Sequence, residues 1–194
     1  MKITNITIDV IERTAPSVLV QDERANLGGT TRQGVLRVYT SDGLEGHAFI
    51  GDQGADSSQR MLTIINTLKP IMVDRDWSDR EWLWNQLPEM SGHGSPIEPS
   101  WAPLDVALWD IAGKAAGQPI HKLLGTARTE IPVYATYPPR HSNPEGFVEE
   151  ALHLKSNGFN AYKIHPGPLS AHDAATTVEK VREAVGNEMQ LMLD

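Results

Sequence analysis

The chain has 194 residues, no cysteine and a formal net charge of −8, with 17 Lys and Arg against 25 Asp and Glu. The lack of cysteine excludes a disulfide-stapled secreted scaffold and a thiolate nucleophile, and the negative charge, with no basic run to offset it, argues against a nucleic-acid partner. No apolar run approaches the roughly 18 residues of a membrane span and the start of the chain does not resemble a signal peptide, so we expect a soluble, cytoplasmic protein.

The first part of the chain is predicted to be an antiparallel β-meander. Residues 6–10 alternate between apolar and polar side chains, which is typical of a half-buried strand. The runs 35–40 and 44–50 flank Ser41-Asp42-Gly43, and such a sequence predicts a hairpin because glycine accepts the positive φ of the turn. The segment 15–32 lacks periodicity and predicts a long loop, either a functional flap or a mobile surface loop.

Three helices are predicted next. Asp56 and Gln59 form a capping box for a helix that ends at Pro70, and a shorter helix covers roughly residues 79–87. Ser100 is predicted to cap the third helix, which ends at Gly117. The apolar stripe of this helix has spacings of 3, 4, 3 and 4 and consists of Trp101, Leu104, Leu108, Ile111 and Ala115. All five tryptophans lie between positions 77 and 109, which favours a helical core over an aromatic ligand site.

The remainder of the chain alternates between predicted strands and helices. Strands are expected at 131–137, 161–165 and 190–193, with helices from Asn143 to Gly158 and from Ser170 to Gly186. A repeat of about 30 residues is typical of β/α units in a parallel sheet. Two such units and a third strand cannot close a barrel, and a full eight-unit barrel needs about 250 residues. We therefore expect an amino-terminal fragment of a protein of roughly 350 to 400 residues.

Three polar side chains end two neighbouring predicted strands. Lys163 and His165 share one face because side chains at i and i+2 point the same way, and Asp194 ends the next strand. The carboxyl ends of barrel strands form the active-site face, so these groups are expected to converge. A carboxylate suits Mg²⁺, and a lysine and a histidine exchange protons where their surroundings bring both pKa values towards neutral. On these residues alone, a solvated lysine and an ordinary loop histidine remain the alternative.

A longer motif supplies a family resemblance. The run LDVALWDIAGKAAGQP from Leu104 to Pro119, followed by Leu123-Leu124-Gly125, resembles the junction of helical domain and barrel in the mandelate racemase/muconate lactonizing enzyme family of the enolase superfamily. The resemblance covers the whole chain. It implies an α+β capping domain over residues 1–125, made of the β-meander and helices. Residues 126–194 would then be the first part of a (β/α) TIM-type barrel, truncated after the third barrel strand.

The resemblance also implies roles for the three strand-end residues. Lys163 matches the first lysine of the family's Lys-x-Lys, which lies beside the substrate carboxylate. His165 stands where the second lysine, often the acid–base group, would be, and this is a departure from the family pattern. An imidazole can replace that lysine because histidine ordinarily titrates near neutral pH. Asp194 matches the first metal-binding carboxylate, which implies Mg²⁺ as the cofactor, and the two further carboxylate ligands would follow residue 194.

The chemistry implied is abstraction of the proton α to a carboxylate, with Mg²⁺ stabilising the enediolate. Loss of a β-hydroxyl then gives dehydration of an acid sugar, whereas protonation on the opposite face gives racemisation or epimerisation. Arg24 and Arg32 in the segment 15–32, with His93 in the segment 91–99, predict polar lid loops that would bind a polyhydroxylated carboxylate.

We therefore favour an acid-sugar dehydratase that acts on a small-molecule carboxylate. The alternatives are a racemase or epimerase, or a non-catalytic association module. Relatives are commonly oligomeric, so a homo-oligomer is expected, and residues 1–194 alone are expected to be inactive because they include one of the three metal ligands.

Overall fold

The computed structural model describes residues 1–15, 29–51, 57–90, 97–167 and 169–194. They form two compact units, one made of Met1–Ala15 with Thr30–Ala127 and the other including Arg128–Asp194. The elements, in chain order, are β1 (Ile3–Ala15), β2 (Gly29–Thr40), β3 (Glu45–Ile50), α1 (Ser58–Thr63), a π-helical segment (Ile64–Leu68), α2 (Lys69–Met72), α3 (Arg80–Met90), α4 (Ile97–Ala116), α5 (Ile120–Leu123), β4 (Ala135–Thr136), α6 (Pro144–Ser156), β5 (Ala161–Ile164), α7 (Ala171–Val185) and β6 (Gln190–Leu193).

The first unit contains the predicted meander, a sheet of order β1-β2-β3. β2 and β3 pair antiparallel with Tyr39 opposite Glu45, and Gly43 in the turn has a φ of +83° that glycine adopts without strain. The prediction of a loop over 15–32 is wrong at its end, because β2 already begins at Gly29. Thr30 and Thr31 are β-branched residues that suit a strand.

Helix α4 packs directly on β3 in the first unit. A Cβ atom added to Gly46 would lie 2.2 Å from the carbonyl oxygen of Ala107, so only glycine permits this approach of strand and helix. The fully buried residues between the sheet and the helices include Ile3, Ile6, Leu36, Val38, Ile50, Ile64, Leu104, Ala107, Leu108 and Ile111. This core contains most of the apolar stripe predicted for α4.

Two helix starts differ from their predictions. α4 begins at Ile97, one turn before Ser100, so Ser100 is buried within the helix instead of capping it. Ser57 occupies the N-cap position of α1, whereas the predicted cap, Asp56, lies outside the described residues.

Pro70 lies in the first turn of α2 instead of ending the helix. The π-helical segment directly precedes α2, and the N–H of Lys69 donates to the carbonyl of Ile64.

Two of the tryptophans are too exposed to belong to a helical core. Trp101 is 2% exposed, but Trp82 and Trp84 are 40% and 58% exposed, so the core interpretation is wrong for these two. The guanidinium of Arg75 lies 3.6 Å from the ring centroid of Trp82. This cation–π contact lets the ring remain at the surface with one face covered.

The second unit is the predicted parallel β/α arrangement, with strand order β4-β5-β6. Asn143 caps α6 and Ser170 caps α7 by accepting backbone N–H groups at 3.0 and 3.1 Å. Its core lies between the sheet and these two helices and includes Phe147, Ala151, Leu154, Tyr162, Ile164, Val181 and Val185. No helix in the described parts of the chain is both long and apolar enough to cross a bilayer.

The first strand of this sheet is shorter than predicted. β4 comprises only Ala135–Thr136 instead of 131–137, and it pairs with β5 at these two positions. Ile131 and Val133 are 74% and 69% exposed. Pro132 between them has no N–H to donate to a neighbouring strand, which disfavours extension of the ladder in that direction.

Candidate active site

The strand ends bring the three predicted side chains together. β5 and β6 are parallel with Lys163 opposite Met192, and the backbone N–H of Asp194 donates to the carbonyl of Ile164 at 3.1 Å. Tyr162 and Ile164 are buried against the helices, whereas the side chain of Lys163 lies on the other face and is 25% exposed. The alternation of β5 therefore separates a packed face from a face that displays Lys163.

The carboxylate of Asp194 is the centre of this cluster. Its Oδ1 forms an ion pair with Nζ of Lys163, and its Oδ2 lies 3.0 Å from Nε2 of His165. The side chains of His165 and Asp194 are 26% and 54% exposed. The three groups that the sequence places at neighbouring strand ends are thus in direct contact, and solvent reaches them.

The ion pair holds both of its members in their charged forms. The hydrogen bond to Asp194 raises the pKa of Lys163 above its ordinary value, and the same bond lowers the pKa of Asp194. Although Nε2 of His165 is close to Asp194, it is a buried atom without a properly aligned hydrogen-bond partner in the described part of the chain. The imidazole as a whole is 26% exposed, and a ring nitrogen without an aligned partner retains capacity for a hydrogen bond.

The other predicted binding residues lie elsewhere or outside the described ranges. Arg24 and His93 fall within segments that the structure does not describe. Arg32 lies in β2 instead of a lid loop, and its Nε is 2.9 Å from Oε1 of Glu12 on β1. The prediction that Arg32 belongs to a lid loop is therefore wrong. Its side chain extends from a strand and forms an ion pair with the neighbouring strand.

A second polar cluster, on the packed face of β5, was not predicted. The side chain of Glu150 is only 5% exposed and accepts hydrogen bonds from Nε of Arg140 at 2.6 Å, from Nε2 of His141 at 2.7 Å and from the hydroxyl of Tyr162 at 2.8 Å. We call these four residues the Glu150 cluster. Its sequence signal is a glutamate within the apolar stripe Phe147, Glu150, Ala151 and Leu154 of α6.

The carboxylate of Asp194 is a suitable type of ligand for a divalent metal ion. Its oxygens are hard ligands of the type that Mg²⁺ prefers, they are accessible, and a cation, the ammonium of Lys163, is already placed against one of them. Within the described ranges, no three His, Asp or Glu side chains come together as a complete metal site. Asp194 is therefore suited to supply one ligand of such a site.

Known proteins resemble both parts of the chain. Residues 6–125 match the family model described as mandelate racemase / muconate lactonizing enzyme, N-terminal domain. Arabinonate dehydratase of Saccharolobus solfataricus is 28% identical over 162 residues, which cover 81% of this chain and 43% of that protein. N-succinyl-L-Arg/Lys racemase of Bacillus cereus is 27% identical over 165 residues, which cover 82% of this chain and 43% of that protein.

A solved structure extends this similarity to the whole chain. D-glucarate dehydratase of Agrobacterium tumefaciens, crystallised with magnesium, superposes with a TM-score of 0.79 at 27% identity and covers 100% of this chain and 54% of that one. The chain spans less than half the length of the two curated relatives and about half of this structure. The homologues thus include acid-sugar dehydratases and racemases, and the folds agree.

Proposed function

Because the chain belongs to the mandelate racemase/muconate lactonizing enzyme family, we propose that the whole protein removes the proton α to the carboxylate of a sugar acid and dehydrates it. The observation that supports this most directly is the contact of Lys163, His165 and Asp194 at the carboxyl ends of two parallel strands. This edge of a β/α sheet is where ligands bind and catalytic groups lie. The proposal assigns residues 1–125 to the capping domain and 126–194 to the start of the barrel.

Lys163 and His165 have different roles in this proposal. The ammonium of Lys163 binds the substrate carboxylate and offsets the charge that develops as the α-proton leaves. Nε2 of His165, which has no aligned hydrogen-bond partner among the described side chains, accepts that proton or returns it. A histidine in place of the lysine usual in the family is consistent with this role, because an imidazole is a proton carrier at neutral pH.

Asp194 is the residue of this cluster that would hold Mg²⁺. When bound, the ion supplies positive charge beside the substrate carboxylate and so favours loss of the α-proton. The chain's own residues then place the substrate, with Lys163 on its carboxylate and His165 on the α-hydrogen. In the dehydration, His165 passes the proton taken from the α-carbon to the β-hydroxyl, the β C–O bond breaks and the hydroxyl leaves as water. The enol that remains tautomerises to a 2-keto-3-deoxy acid.

Two observations favour a sugar acid as the substrate class. The homologues include acid-sugar dehydratases, and the segments 15–32 and 91–99, with Arg24 and His93, are polar. Guanidinium and imidazole groups would bind the hydroxyls of such a substrate. We also propose that the protein acts as a homo-oligomer in the cytoplasm.

Racemisation or epimerisation is the second candidate, since a racemase is among the homologues at nearly the same identity as the dehydratase. The two reactions share removal of the α-proton and differ in the next step. A base on the opposite face would return a proton in a racemase, whereas the β-hydroxyl leaves in a dehydratase. A non-catalytic association module would perform neither step.

The test is a screen of the whole protein with Mg²⁺ in D₂O against a set of sugar acids and N-acylated amino acids. We expect a sugar acid to yield a 2-keto-3-deoxy acid, detected by its semicarbazone absorbance and by NMR. Exchange of the α-hydrogen for deuterium without loss of water would favour the racemase instead. Absence of exchange and of product from every compound, under conditions where the protein binds Mg²⁺, would contradict the enzymatic proposal.

A further inference from the structure

Lys163 already occupies the carboxylate that a metal ion would use. Its Nζ is paired with Oδ1 of Asp194, while Nε2 of His165 lies 3.0 Å from Oδ2. We propose that Lys163 is an internal counter-ion of Asp194, which a divalent cation must displace in order to bind. This inference rests on the proposed function, because it takes Asp194 to be a metal ligand.

The charges of the cluster support a competition. The ammonium of Lys163 neutralises Asp194, and no other carboxylate forms an ion pair with Lys163 among the described residues. A divalent cation at Asp194 would therefore meet a positive charge in contact with the same carboxylate, and like charges at such distances repel each other. Binding of the cation is then expected to separate Nζ from Oδ1.

The exposure of the pair makes this displacement feasible. Lys163 and Asp194 are 25% and 54% exposed, so both groups can be hydrated while they separate. Neither belongs to a closed network such as the Glu150 cluster, in which a buried carboxylate is held by three side chains. The ion pair is therefore a replaceable contact and not a fixed part of the core.

The displacement has a consequence for the substrate. Once it is separated from Asp194, the ammonium of Lys163 has no other carboxylate partner among the described residues. It becomes available to the carboxylate of a substrate, which is the role proposed for it above. Occupation of Asp194 by a cation and binding of a substrate carboxylate by Lys163 would thus favour each other, as linked binding events do.

The chain offers a matched control for the test. Lys180 on α7 forms an exposed ion pair with Glu145 on α6, with Nζ and Oε1 2.6 Å apart. Replacing this lysine removes the same charge and the same type of contact in the same unit, but at a different carboxylate. An effect of general net charge would appear in both variants, whereas an effect on Asp194 would appear only at Lys163.

The experiment measures the Kd of Mn²⁺, a substitute for Mg²⁺ at oxygen ligands, from the EPR signal of the free ion at low ionic strength. In the whole protein, Lys163→Met is expected to tighten Mn²⁺ binding about three- to tenfold, in keeping with the loss of a partly exposed ion pair and of a nearby positive charge. Lys163→Arg, which keeps the charge, and Lys180→Met are expected to stay near the wild-type value. Raising the salt concentration should reduce the difference.

Two outcomes would overturn the inference. The first is that Lys163→Met binds Mn²⁺ no more tightly than Lys180→Met does. The second is that Lys163→Arg tightens Mn²⁺ binding as much as Lys163→Met does. Asp194→Asn separates this failure from failure of the proposed function. Loss of binding in Asp194→Asn with no effect at Lys163 would overturn the counter-ion alone, whereas unchanged binding in Asp194→Asn would overturn the metal assignment as well.

Discussion

Strand β5 has two polar clusters on its opposite faces, and consecutive residues belong to different clusters. Tyr162 points to the packed face and joins the Glu150 cluster, in which the buried carboxylate is hydrogen-bonded by three side chains. Lys163 points to the other face and contacts a half-exposed carboxylate near an imidazole nitrogen that lacks an aligned partner. Complete hydrogen bonding under burial is typical of a structural cluster, whereas partly exposed charged groups such as Lys163 and Asp194 are available for chemistry.

The sharpest test of this contrast is the effect of Lys163→Ala and His165→Ala on turnover by the whole protein. Removal of a proton-transfer or charge-stabilising group is expected to lower kcat by about 10²- to 10⁴-fold. The melting temperature should stay within about 3 °C of the wild type, because a partly exposed ion pair contributes little to stability. Steady-state kinetics and thermal denaturation measure the two effects on the same samples.

The opposite pattern would break the distinction between the two faces. If Lys163→Ala lowered the melting temperature strongly and left kcat unchanged, the cluster would be structural. Tyr162→Phe is the matched control on the other face of the strand. It is expected to lower stability, as argued below, and to leave kcat within about threefold of the wild type, because its hydroxyl faces the helices.

Glu150→Leu tests the structural cluster. The change leaves the buried hydroxyl of Tyr162 without an acceptor and removes the carboxylate that Arg140 and His141 contact. We expect a loss of about 2–4 kcal/mol in the free energy of unfolding, measured by urea denaturation. Glu145→Leu, on the same helix but exposed, is the control and should change stability little. Equal effects of the two variants would contradict a buried structural role for Glu150.

The contrast also explains which parts of the molecule the sequence predicts. Lys163 and His165 are two positions apart at the end of β5, and Asp194 directly follows the next strand of a regular repeat, so local periodicity suffices to predict that they meet. The same holds for the hairpin at Gly43 and for the start of α6 at Asn143, which depend on neighbouring residues alone. These predictions are confirmed by the strand pairing and the cap contacts.

Features that depend on distant partners could not be predicted in this way. The Glu150 cluster joins a loop, a helix and a strand, and α4 approaches β3 at Gly46 because two segments 60 residues apart in the chain pack together. The exposure of Trp82 similarly depends on the guanidinium of Arg75 that covers it. Tertiary contacts of this kind override local propensity, which is why strand lengths and helix starts were predicted less well.

The smallest effect that we expect is that of Tyr162→Phe, and its dependence on pH identifies the cause. Burial and the nearby Glu150 carboxylate raise the pKa of Tyr162 above its ordinary value. Near pH 8, loss of the hydrogen bond to Glu150 should cost about 1–2 kcal/mol of unfolding free energy.

Above about pH 10, Tyr162 loses its proton in the unfolded chain but keeps it in the folded protein, so the unfolded state binds fewer protons. The ionisation of Tyr162 therefore lowers the wild-type free energy of unfolding by about 1.4 kcal/mol per pH unit. The phenylalanine variant lacks this contribution, and all other titrating groups are common to both proteins. Urea denaturation between pH 8 and 11 should therefore show the wild-type and Tyr162→Phe stabilities converging as the pH rises. A constant difference over this range would mean that Tyr162 ionises alike in the folded and unfolded states, and that the packed face of β5 is as open to solvent as the face that displays Lys163.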